Sequence, residues 1–403
     1  MDALKTPWLE LDVDEARALA QRHGTPFFAF DAAVVEARVE ALKQTGAHLL
    51  YAVKANPAPE LLQFLNGLVD GLDVASAGEA ARALEAGWPG PSLSFTGPAK
   101  TDDELSLARR CGAVVNVESE RELDALEALG GARVRLRINP STVFRAYRVQ
   151  MTGHPSPFGF DEEALEALLG RWKRWPSLKL EGVHVHPGSQ GTSVGAALEV
   201  VRVTLRLLAQ VRAATGLDAR EANVGGGFGV IAPGDEFDVT SFAEKLRPLV
   251  EGFAGEHGVR PVVVLEPGRW LVGPAGLYVT RVVRTKRSRG VTFVIVDGGV
   301  HHFMSAATFL MPPGAARAPV LNLTGPHGPA ERVTITGALC TVLDTLGSDV
   351  EVPRVEAGDL LAFQGAGAYG ASFSPGGFLL RRPAATSWRR PTAPSPPRGR
   401  GSG

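Results

Sequence analysis

Short apolar runs alternate with longer segments of helical periodicity from residue 47 to residue 270. Many of the helical segments begin after Ser, Asp or Thr and end at Gly, which predicts strand-then-helix units. The eight predicted strands are HLLYAV (48–53), LDVA (72–75), SLSFT (92–96), AVVNVE (113–118), RVRLRI (133–138), LEGVHV (180–185), EANV (221–224) and PVVVLE (261–266). Eight units over about 220 residues have the size of an α/β fold of the (β/α)8 TIM-type barrel class. A doubly wound parallel sheet is the competing interpretation.

The pattern changes after residue 270, where β-branched and aromatic runs follow one another without helical segments between them. Turns rich in Gly and Pro separate these runs, which is typical of all-β regions. We therefore predict a barrel over residues 26–270 and a second, all-β domain of Greek-key or sandwich type over residues 271–382, joined by residues 1–25. Residues 383–403 are rich in Pro and Arg and contain no acidic residue, so we predict a disordered tail.

Composition narrows the range of functions. Of the 403 residues 44% are hydrophobic, and 42 Lys and Arg balance 43 Asp and Glu to a formal charge of −1. This balance gives no electrostatic reason to bind nucleic acid or an anionic membrane, so a small-molecule substrate is expected. The chain has only 2 cysteines, no apolar N-terminal run and no uninterrupted apolar stretch long enough to span a membrane. We predict a cytoplasmic protein without a disulfide scaffold.

Unusual residues fall at the ends of the predicted strands, where a (β/α)8 barrel gathers its reactive groups. The first strand leads into Lys54, and we expect loss of solvation to make its amine easier to deprotonate and able to form a Schiff base. The seventh leads into Gly225–Gly227, a turn whose backbone N–H groups can hold a phosphate. The eighth ends at Glu266, three residues before Arg269. A lysine, a phosphate loop and an acid suit pyridoxal phosphate chemistry.

Two histidines end the sixth strand. His184 and His186 are two residues apart and therefore point to the same side of the strand. A metal pair is conceivable, but the spacing marks no third ligand, and we predict no metal. The other interpretation is that one histidine packs in the core and the other lines the barrel mouth. A phosphosugar aldolase or isomerase would also use a lysine and a phosphate loop, but it leaves the all-β domain, with Cys340 and Tyr369, unexplained.

Several motifs occur in the order found in one enzyme family. They are Thr25-Pro26-Phe27, YAVKANP (51–57), DVASAGE (73–79), RINP (137–140), Phe158-Gly159, HPGSQ (186–190), GGG (225–227), EPGR (266–269), Cys340 and GAYG (367–370). Over residues 25–382 the chain resembles the alanine-racemase-type barrel decarboxylases, which include the diaminopimelate, ornithine and arginine decarboxylases. The resemblance implies an amino-acid decarboxylase that uses pyridoxal 5'-phosphate.

The resemblance also implies roles for individual residues. Lys54 would carry the Schiff base with the cofactor, His186 would stack on the cofactor ring, and Glu266 would pair with the pyridine nitrogen. The residues implied around the phosphate are Ser189, Gly225, Gly226, Gly227, Gly268, Arg269 and Tyr369.

Three further residues match positions close to the reacting atoms in the family. Asp73 and Arg137 match polar residues near the Schiff base. Cys340 matches the proton donor, which reaches the active site from the second subunit of a head-to-tail homodimer. In the implied reaction the substrate amine displaces Lys54, the α-carboxylate leaves as carbon dioxide, and Cys340 protonates the resulting carbanion.

The segment after Cys340 departs from the familiar members, in which an acidic residue directly follows the cysteine. Here Thr341 follows it, and a neutral threonine cannot hold a distal ammonium by charge. Asp344 remains available for that role, so Thr341 and Asp344 are our candidate substrate-binding residues. The segment DGGVHH, which ends in His301 and His302, is also unlike the diaminopimelate enzymes, which typically place an arginine soon afterwards.

Both departures resemble the subgroup found in secondary-metabolite and exopolysaccharide pathways, which includes a decarboxylase acting on a glutamyl group tethered to an acyl carrier protein. We therefore expect a decarboxylase whose substrate lies outside central lysine or polyamine metabolism, and whether that substrate is free or carrier-bound stays open. The alternatives are a diaminopimelate decarboxylase of lysine biosynthesis, a barrel amino-acid racemase, and a non-catalytic pyridoxal-phosphate-binding barrel. The segment around Cys340 speaks against the racemase, and the all-β domain speaks against the single-domain binding protein.

Overall fold

The computed structural model describes residues 6–310 and 319–389. The strands are β1 (Phe27–Asp31), β2 (His48–Ala52), β3 (Gly71–Val74), β4 (Leu93–Phe95), β5 (Val114–Val117), β6 (Arg133–Asn139), β7 (Val149–Gln150), β8 (Phe160–Asp161), β9 (Lys179–His184), β10 (Gly188–Ser189), β11 (Glu221–Asn223), β12 (Val230–Ala232), β13 (Asp235–Glu236), β14 (Val262–Leu265), β15 (Gly276–Ser288), β16 (Val291–Val296), β17 (Val320–Asn322), β18 (Ala330–Thr336), β19 (Thr345–Pro353), β20 (Leu360–Gln364) and β21 (Ala385–Arg389). The α-helices are α1 (Val13–His23), α2 (Ala32–Lys43), α3 (Pro59–Leu65), α4 (Ala77–Glu85), α5 (Asp102–Cys111), α6 (Glu120–Ala128), α7 (Leu165–Gly170), α8 (Val194–Thr215), α9 (Val239–His257) and α10 (Arg269–Val272). Within the described ranges, none of the helices is both long enough and apolar enough to cross a membrane.

Eight parallel strands form a closed barrel in the order β2, β3, β4, β5, β6, β9, β11, β14. The barrel closes because β14 pairs with β2 as well as with β11, with Val264 opposite His48. Each of the eight predicted apolar runs contains or overlaps one of these strands. The (β/α)8 barrel is therefore confirmed, and the doubly wound alternative is wrong, because a doubly wound sheet is open at two edges.

Polar caps fix the points at which the barrel helices begin. Ser76 follows β3, and its hydroxyl accepts the backbone N–H of Glu79; Ser119 follows β5 and accepts that of Glu122. Thr101 and Glu104 form a reciprocal capping box before α5. Such caps satisfy N–H groups that have no partner inside the helix. The helices after β3 and β5 therefore begin within three residues of the strand ends.

Strand β1 and strands β15 to β21 form a mixed eight-stranded sheet, which confirms the predicted all-β region. The long strand β15 connects its two halves: residues 277–281 pair with β20, whereas residues 282–288 pair with β16. Strand β18 continues the sheet parallel to β16 and pairs antiparallel with β19. Its core includes Tyr278, Val294, Ile335 and Phe363.

Two predicted boundaries are wrong. Strand β1 falls within the predicted barrel, but it pairs with β15 and β21 and so belongs to the second sheet. The predicted disordered tail begins at residue 383, yet residues 385–389 form β21, where Trp388 stacks on Phe30 with ring centroids 4.5 Å apart. The prediction of disorder rested on the content of proline and charged residues. Composition does not reveal that this segment can pair with the apolar strand β1. Residues 390–403 of the predicted tail lie outside the described residues.

Candidate active site

A cavity of about 300 Å³ lies at the C-terminal ends of the barrel strands. It is lined by nine of the residues singled out in the sequence: Lys54, Arg137, His186, Ser189, Gly227, Glu266, Gly268, Arg269 and Tyr369. Asp73, Gly225 and Gly226 lie directly behind this lining, in contact with Lys54, His186 and Glu266. A larger cavity of about 460 Å³ adjoins it at Arg269, but its described lining contains no other predicted site residue. The smaller cavity is therefore the candidate active site.

Lys54 stands in a single helical turn, Val53–Ala55, directly after β2. Its Nζ atom lies 3.3 Å from Oδ2 of Asp73. Burial alone would lower the pKa of Lys54, but Asp73, Tyr369 and Glu266 together raise it above its ordinary value. The expectation of an easily deprotonated amine is therefore wrong for the protein without its cofactor, because the acidic neighbours outweigh the loss of solvation.

Asp73 is the ion-pair partner of this lysine and is itself buried. One of its oxygens accepts a hydrogen bond of 2.6 Å from Thr96 Oγ1, and the other faces Lys54. Burial, followed by the charge of Glu266, raises the pKa of Asp73 above its ordinary value. Asp73 thus holds the lysine in place by an ion pair that is sensitive to the charges around it.

Glu266 is held ionised in the floor of the cavity. Its two oxygens lie 3.2 Å from Nε2 of His184 and 2.7 Å from Nδ2 of Asn223, which donates to it. Burial alone would raise the pKa of Glu266, but His184 and the charge of Lys54 lower it below its ordinary value. A buried carboxylate that stays charged can receive a proton-bearing nitrogen of a ligand.

His186 lies beside Glu266 and is uncharged. Burial, then the charges of Lys54 and Arg137, lower the pKa of His186 well below its ordinary value. Its Nδ1 accepts the backbone N–H of Gly226 at 3.4 Å, and its ring lies nearly parallel to that of His184. A neutral imidazole fixed in this way lines the cavity without adding a charge to it.

The glycine turn after β11 is packed too tightly for any side chain. A Cβ atom on Gly225, Gly226 or Gly227 would lie 2.5, 2.1 or 2.2 Å from a neighbouring atom, and Gly225 and Gly227 have positive φ angles. Beside the turn the guanidinium of Arg269 lies 4.5 Å from the ring centroid of Tyr369, and its buried Nε has no hydrogen-bond partner among the described residues. Bare backbone and an unsatisfied buried guanidinium are the groups that bind a phosphate.

The second domain of the same chain completes this cavity. Tyr369 has φ of 54°, and its backbone N–H donates to the carbonyl of Ala55 at 2.7 Å. Asn56 donates from its side chain to the carbonyl of Gly367 at 3.0 Å. The GAYG segment is therefore fixed against the turn that carries Lys54.

Cys340 and Thr341 lie outside the cavity. Cys340 is exposed in the loop between β18 and β19, and the next residues, Val342 and Leu343, are exposed as well. Asp344 ends this loop, but it is 2% exposed, and its two oxygens accept the backbone N–H groups of Val300 and Leu339, each at 2.7 Å. The substrate-binding role predicted for Asp344 is therefore corrected, because both carboxylate oxygens already bind backbone.

One group of potential metal ligands escaped the sequence analysis. His184, His186 and Glu266 offer atoms that all lie within 4.8 Å of one another. The spacing of the two histidines could not indicate Glu266, which comes from another strand 80 residues later. Glu118 was missed as well: it ends the predicted run 113–118, which was the only available signal, and its carboxylate binds Arg137 at 2.9 Å.

Comparison with known proteins assigns the family. Residues 32–273 match the family model described as the pyridoxal binding domain of pyridoxal-dependent decarboxylases. The chain is 34% identical to an L-glutamyl-[BtrI acyl-carrier protein] decarboxylase of Niallia circulans, over 92% of this chain and 90% of that protein. It is 30% identical to a diaminopimelate decarboxylase of Aquifex aeolicus, over 89% of this chain and 85% of that protein.

Comparison with a solved structure supports the same family assignment. The diaminopimelate decarboxylase of Helicobacter pylori, in complex with L-lysine, superimposes with a TM-score of 0.79 and 28% identity, over 89% of this chain and 90% of that one. The family model covers more than half of the chain, and its description agrees with the lysine, acid and phosphate-binding groups of the cavity. The chain therefore belongs to the pyridoxal-dependent decarboxylases, enzymes that use pyridoxal phosphate to remove carbon dioxide from an amino-acid substrate.

Proposed function

We propose that this enzyme decarboxylates an aminoacyl substrate whose distal end carries no charge, such as an amino acid tethered to a carrier protein in a secondary-metabolite pathway. The observation that carries the proposal is the loop 337–344, which offers no free carboxylate. Thr341 is neutral, and its hydroxyl accepts the N–H of Leu343 at 3.2 Å. Asp344 faces the backbone with both oxygens. The similarity to a decarboxylase that acts on a glutamyl carrier protein supports the same conclusion.

The cavity fits pyridoxal phosphate at both of its ends. Lys54 would hold the aldehyde carbon, and Glu266 would hold the protonated pyridine nitrogen, because its carboxylate stays ionised although buried. His186 would face the ring. The residues that would surround the phosphate are Ser189, Gly225, Gly226, Gly227, Gly268, Arg269 and Tyr369. The unsatisfied Nε of Arg269 and the glycine turn support this end of the assignment.

The cofactor, when bound, supplies a conjugated ring that accepts the electron pair left behind by carbon dioxide. The protein contributes charge and position. Glu266 keeps a proton on the ring nitrogen, which makes the ring a better acceptor. Asp73 keeps the Lys54 amine oriented and charged until that amine gives up its proton, and the neutral His186 adds no competing charge. Cys340 would deliver a proton to the α-carbon.

Cys340 requires a second subunit in this proposal. It is exposed and does not line the cavity of its own chain, while the neighbouring Val342 is 91% exposed. Together with Leu343, which is 52% exposed, Val342 forms an apolar patch of the kind that another subunit can cover. We therefore include in the proposal a head-to-tail homodimer with shared active sites. The Cys340 thiol has to stay reduced for this role, which is in keeping with a cytoplasmic location.

The test measures carbon dioxide release from four substrates: an acyl carrier protein loaded with L-glutamate, and free L-lysine, L-ornithine and meso-diaminopimelate. We expect turnover of the loaded carrier protein and specificity constants for the three free amino acids lower by one to two orders of magnitude, which corresponds to about 1.5–3 kcal/mol for one missing charged hydrogen bond. Unloaded carrier protein is the control. Efficient turnover of free diaminopimelate would instead establish a diaminopimelate decarboxylase.

A further inference from the structure

Four charged side chains form a buried cluster in and behind one wall of the cavity. They are Lys100, Glu118, Glu122 and Arg137, whose side chains are between 1% and 5% exposed. Two carry positive and two carry negative charge, so the cluster is neutral as a whole. Burying charges is costly unless each is paired and hydrogen-bonded, which makes such a cluster unusual for a purely structural position.

Glu118 is the centre of this buried cluster. One oxygen accepts from Arg137 Nη1 at 2.9 Å and from the backbone N–H of Gly97 at 3.0 Å. The other accepts the backbone N–H of Gly159 at 3.1 Å. Gly97 and Arg137 line the cavity, as does Phe158, the residue before Gly159. A single carboxylate therefore binds three segments of the cavity wall, namely the connection after β4, strand β6 and the connection after β6.

The position of the Arg137 guanidinium is set from two directions. Its Nη1 donates to Glu118, and its Cζ lies 4.6 Å from the centroid of the Phe158 ring. Because Glu118 occupies one edge of the guanidinium and Phe158 one face, only the remaining N–H groups can bind a ligand in the cavity. Loss of the Glu118 carboxylate would remove its hydrogen bond to Arg137. It would also remove the acceptor of the Gly159 N–H, which holds the neighbouring Phe158 in place.

Lys100 is the counter-charge for this carboxylate. Its Nζ lies 3.6 Å from Glu118 and 3.1 Å from Glu122. Glu122 also accepts the backbone N–H of Glu118 at 2.8 Å. Among the contacts recorded for the described residues, Glu122 has no bond to a cavity-lining side chain. The two glutamates thus share a cation, and of the two only Glu118 contacts residues that line the site.

We propose that Glu118 is a positioning residue of this enzyme, which fixes Arg137 and the adjacent wall for cofactor binding. The inference rests on the proposed function in one respect, namely that the cavity lined by both Lys54 and Arg137 holds the cofactor. The proposed role concerns the positions of Arg137 and the cavity wall, and it does not depend on which amino acid is decarboxylated.

The test is titration of the apoenzyme with pyridoxal phosphate, followed by absorbance, in Glu118→Gln and in the matched control Glu122→Gln. Each substitution removes one negative charge beside Lys100, and the glutamine at 122 keeps an oxygen for the Glu118 N–H. We expect the Kd for pyridoxal phosphate to rise about tenfold or more in Glu118→Gln, the scale of one charged hydrogen bond, and to change less than about threefold in Glu122→Gln. Equal changes in the two variants would overturn the proposal.

A double-mutant cycle with Arg137→Gln separates positioning from general loss of structure. If Glu118 acts through Arg137, adding Glu118→Gln to Arg137→Gln changes the Kd by less than about threefold. Additive effects would show that Glu118 acts independently of Arg137. If Arg137→Gln leaves the Kd unchanged, the role proposed for Arg137 is wrong. If Arg137→Gln raises the Kd but Glu118→Gln does not, the role proposed for Glu118 is wrong.

A conservative variant covers the case in which Glu118→Gln does not fold. Glu118→Asp keeps the charge beside Lys100 but withdraws the carboxylate from the wall by one methylene. We expect a Kd between those of the unmodified protein and Arg137→Gln, with the urea midpoint of Glu118→Asp close to that of Glu122→Asp. An unchanged Kd in Glu118→Asp would contradict positioning by the carboxylate.

Discussion

The amine of Lys54 is protonated before the cofactor binds, because its pKa is raised. Schiff-base formation needs the neutral amine, yet Asp73, Tyr369 and Glu266 favour the charged one. The same ion pair that orients the lysine for its task therefore sets a barrier to cofactor loading.

We predict that the loading rate of the apoenzyme with pyridoxal phosphate rises with pH. The pKa of Lys54 lies above its ordinary value, so the neutral fraction increases about tenfold per pH unit between pH 7 and pH 9. Asp73→Asn removes the nearest negative charge, which lowers that pKa and speeds loading at pH 7. Stopped-flow absorbance measures the rates, and Asp70→Asn, at the other end of β3, is the control. A rate independent of pH over this range would contradict a charged Lys54.

Thr341 supplies a second prediction for a single side chain. Thr341→Glu places a carboxylate directly after Cys340, so we expect the specificity constant for free L-ornithine or meso-diaminopimelate to rise about tenfold, the scale of a charged hydrogen bond to the distal ammonium. Thr341→Gln has the same length without the charge and should give no comparable gain. Equal gains from the two variants would show that size, rather than charge, limits these substrates.

Single residues also show what a sequence can and cannot predict about a site. The positions of Lys54 and Glu266 followed from their places at strand ends. The charge state of Lys54 did not, because it depends on Asp73 and Glu266, which come from other strands. Asp344 followed the reactive cysteine closely enough to suggest a substrate contact, and only the fold shows that Val300 and Leu339 occupy both of its oxygens.

At the scale of elements, the glycine turn after β11 is the least tolerant part of the site. Its backbone passes between β10 and the end of β14 with no space for a Cβ atom. Packing of this kind holds the N–H groups of the turn at fixed positions before any ligand arrives.

We predict that Gly227→Ala lowers the free energy of unfolding and weakens pyridoxal phosphate binding. The new Cβ would lie 2.2 Å from the Gly188 carbonyl oxygen, and φ is +83°. The positive φ alone costs about 1–2 kcal/mol for alanine. Gly252→Ala, in the middle of α9 with open space around it, should raise stability by up to about 1 kcal/mol. Urea denaturation measures both, and a stable Gly227→Ala protein with unchanged affinity would contradict the argument.

The elements themselves were predicted unevenly. The barrel strands could be predicted because each is a local apolar run bounded by helix caps. The place of β1 could not, because Phe27–Asp31 pairs with residues 276–279 and 385–389, and no local pattern identifies partners so distant in sequence. The end of the barrel was predicted near residue 270 because the alternation with helices stops there.

At the scale of the whole molecule, the described lining of the cavity comes from both domains of one chain and does not include the proposed proton donor. Tyr369 reaches it from the second domain of the same chain, whereas Cys340, in the same domain, does not line it. Activity would then depend on two copies of the chain in contact.

Mixed dimers test this dependence. Lys54→Ala and Cys340→Ala should each be nearly inactive, and random reassortment of the two should restore about a quarter of the sites, because only one of the two sites in each mixed dimer has both groups. Co-expression with two different tags isolates the mixed dimers, and each variant alone is the control. A purified mixed dimer without carbon dioxide release would place Lys54 and Cys340 of one site in the same chain.

The pairing of β1 with β15 and β21 has a consequence for biosynthesis. Strand β1 leaves the ribosome long before its partners, because β15 is completed more than 240 residues later and β21 more than 350 residues later. At about 5–20 residues per second, the apolar segment Phe27–Asp31 waits on the order of ten seconds or longer for its first partner. Until then its strand edges and phenylalanines are available to other chains, so this short strand is a place where a chaperone can protect the nascent protein.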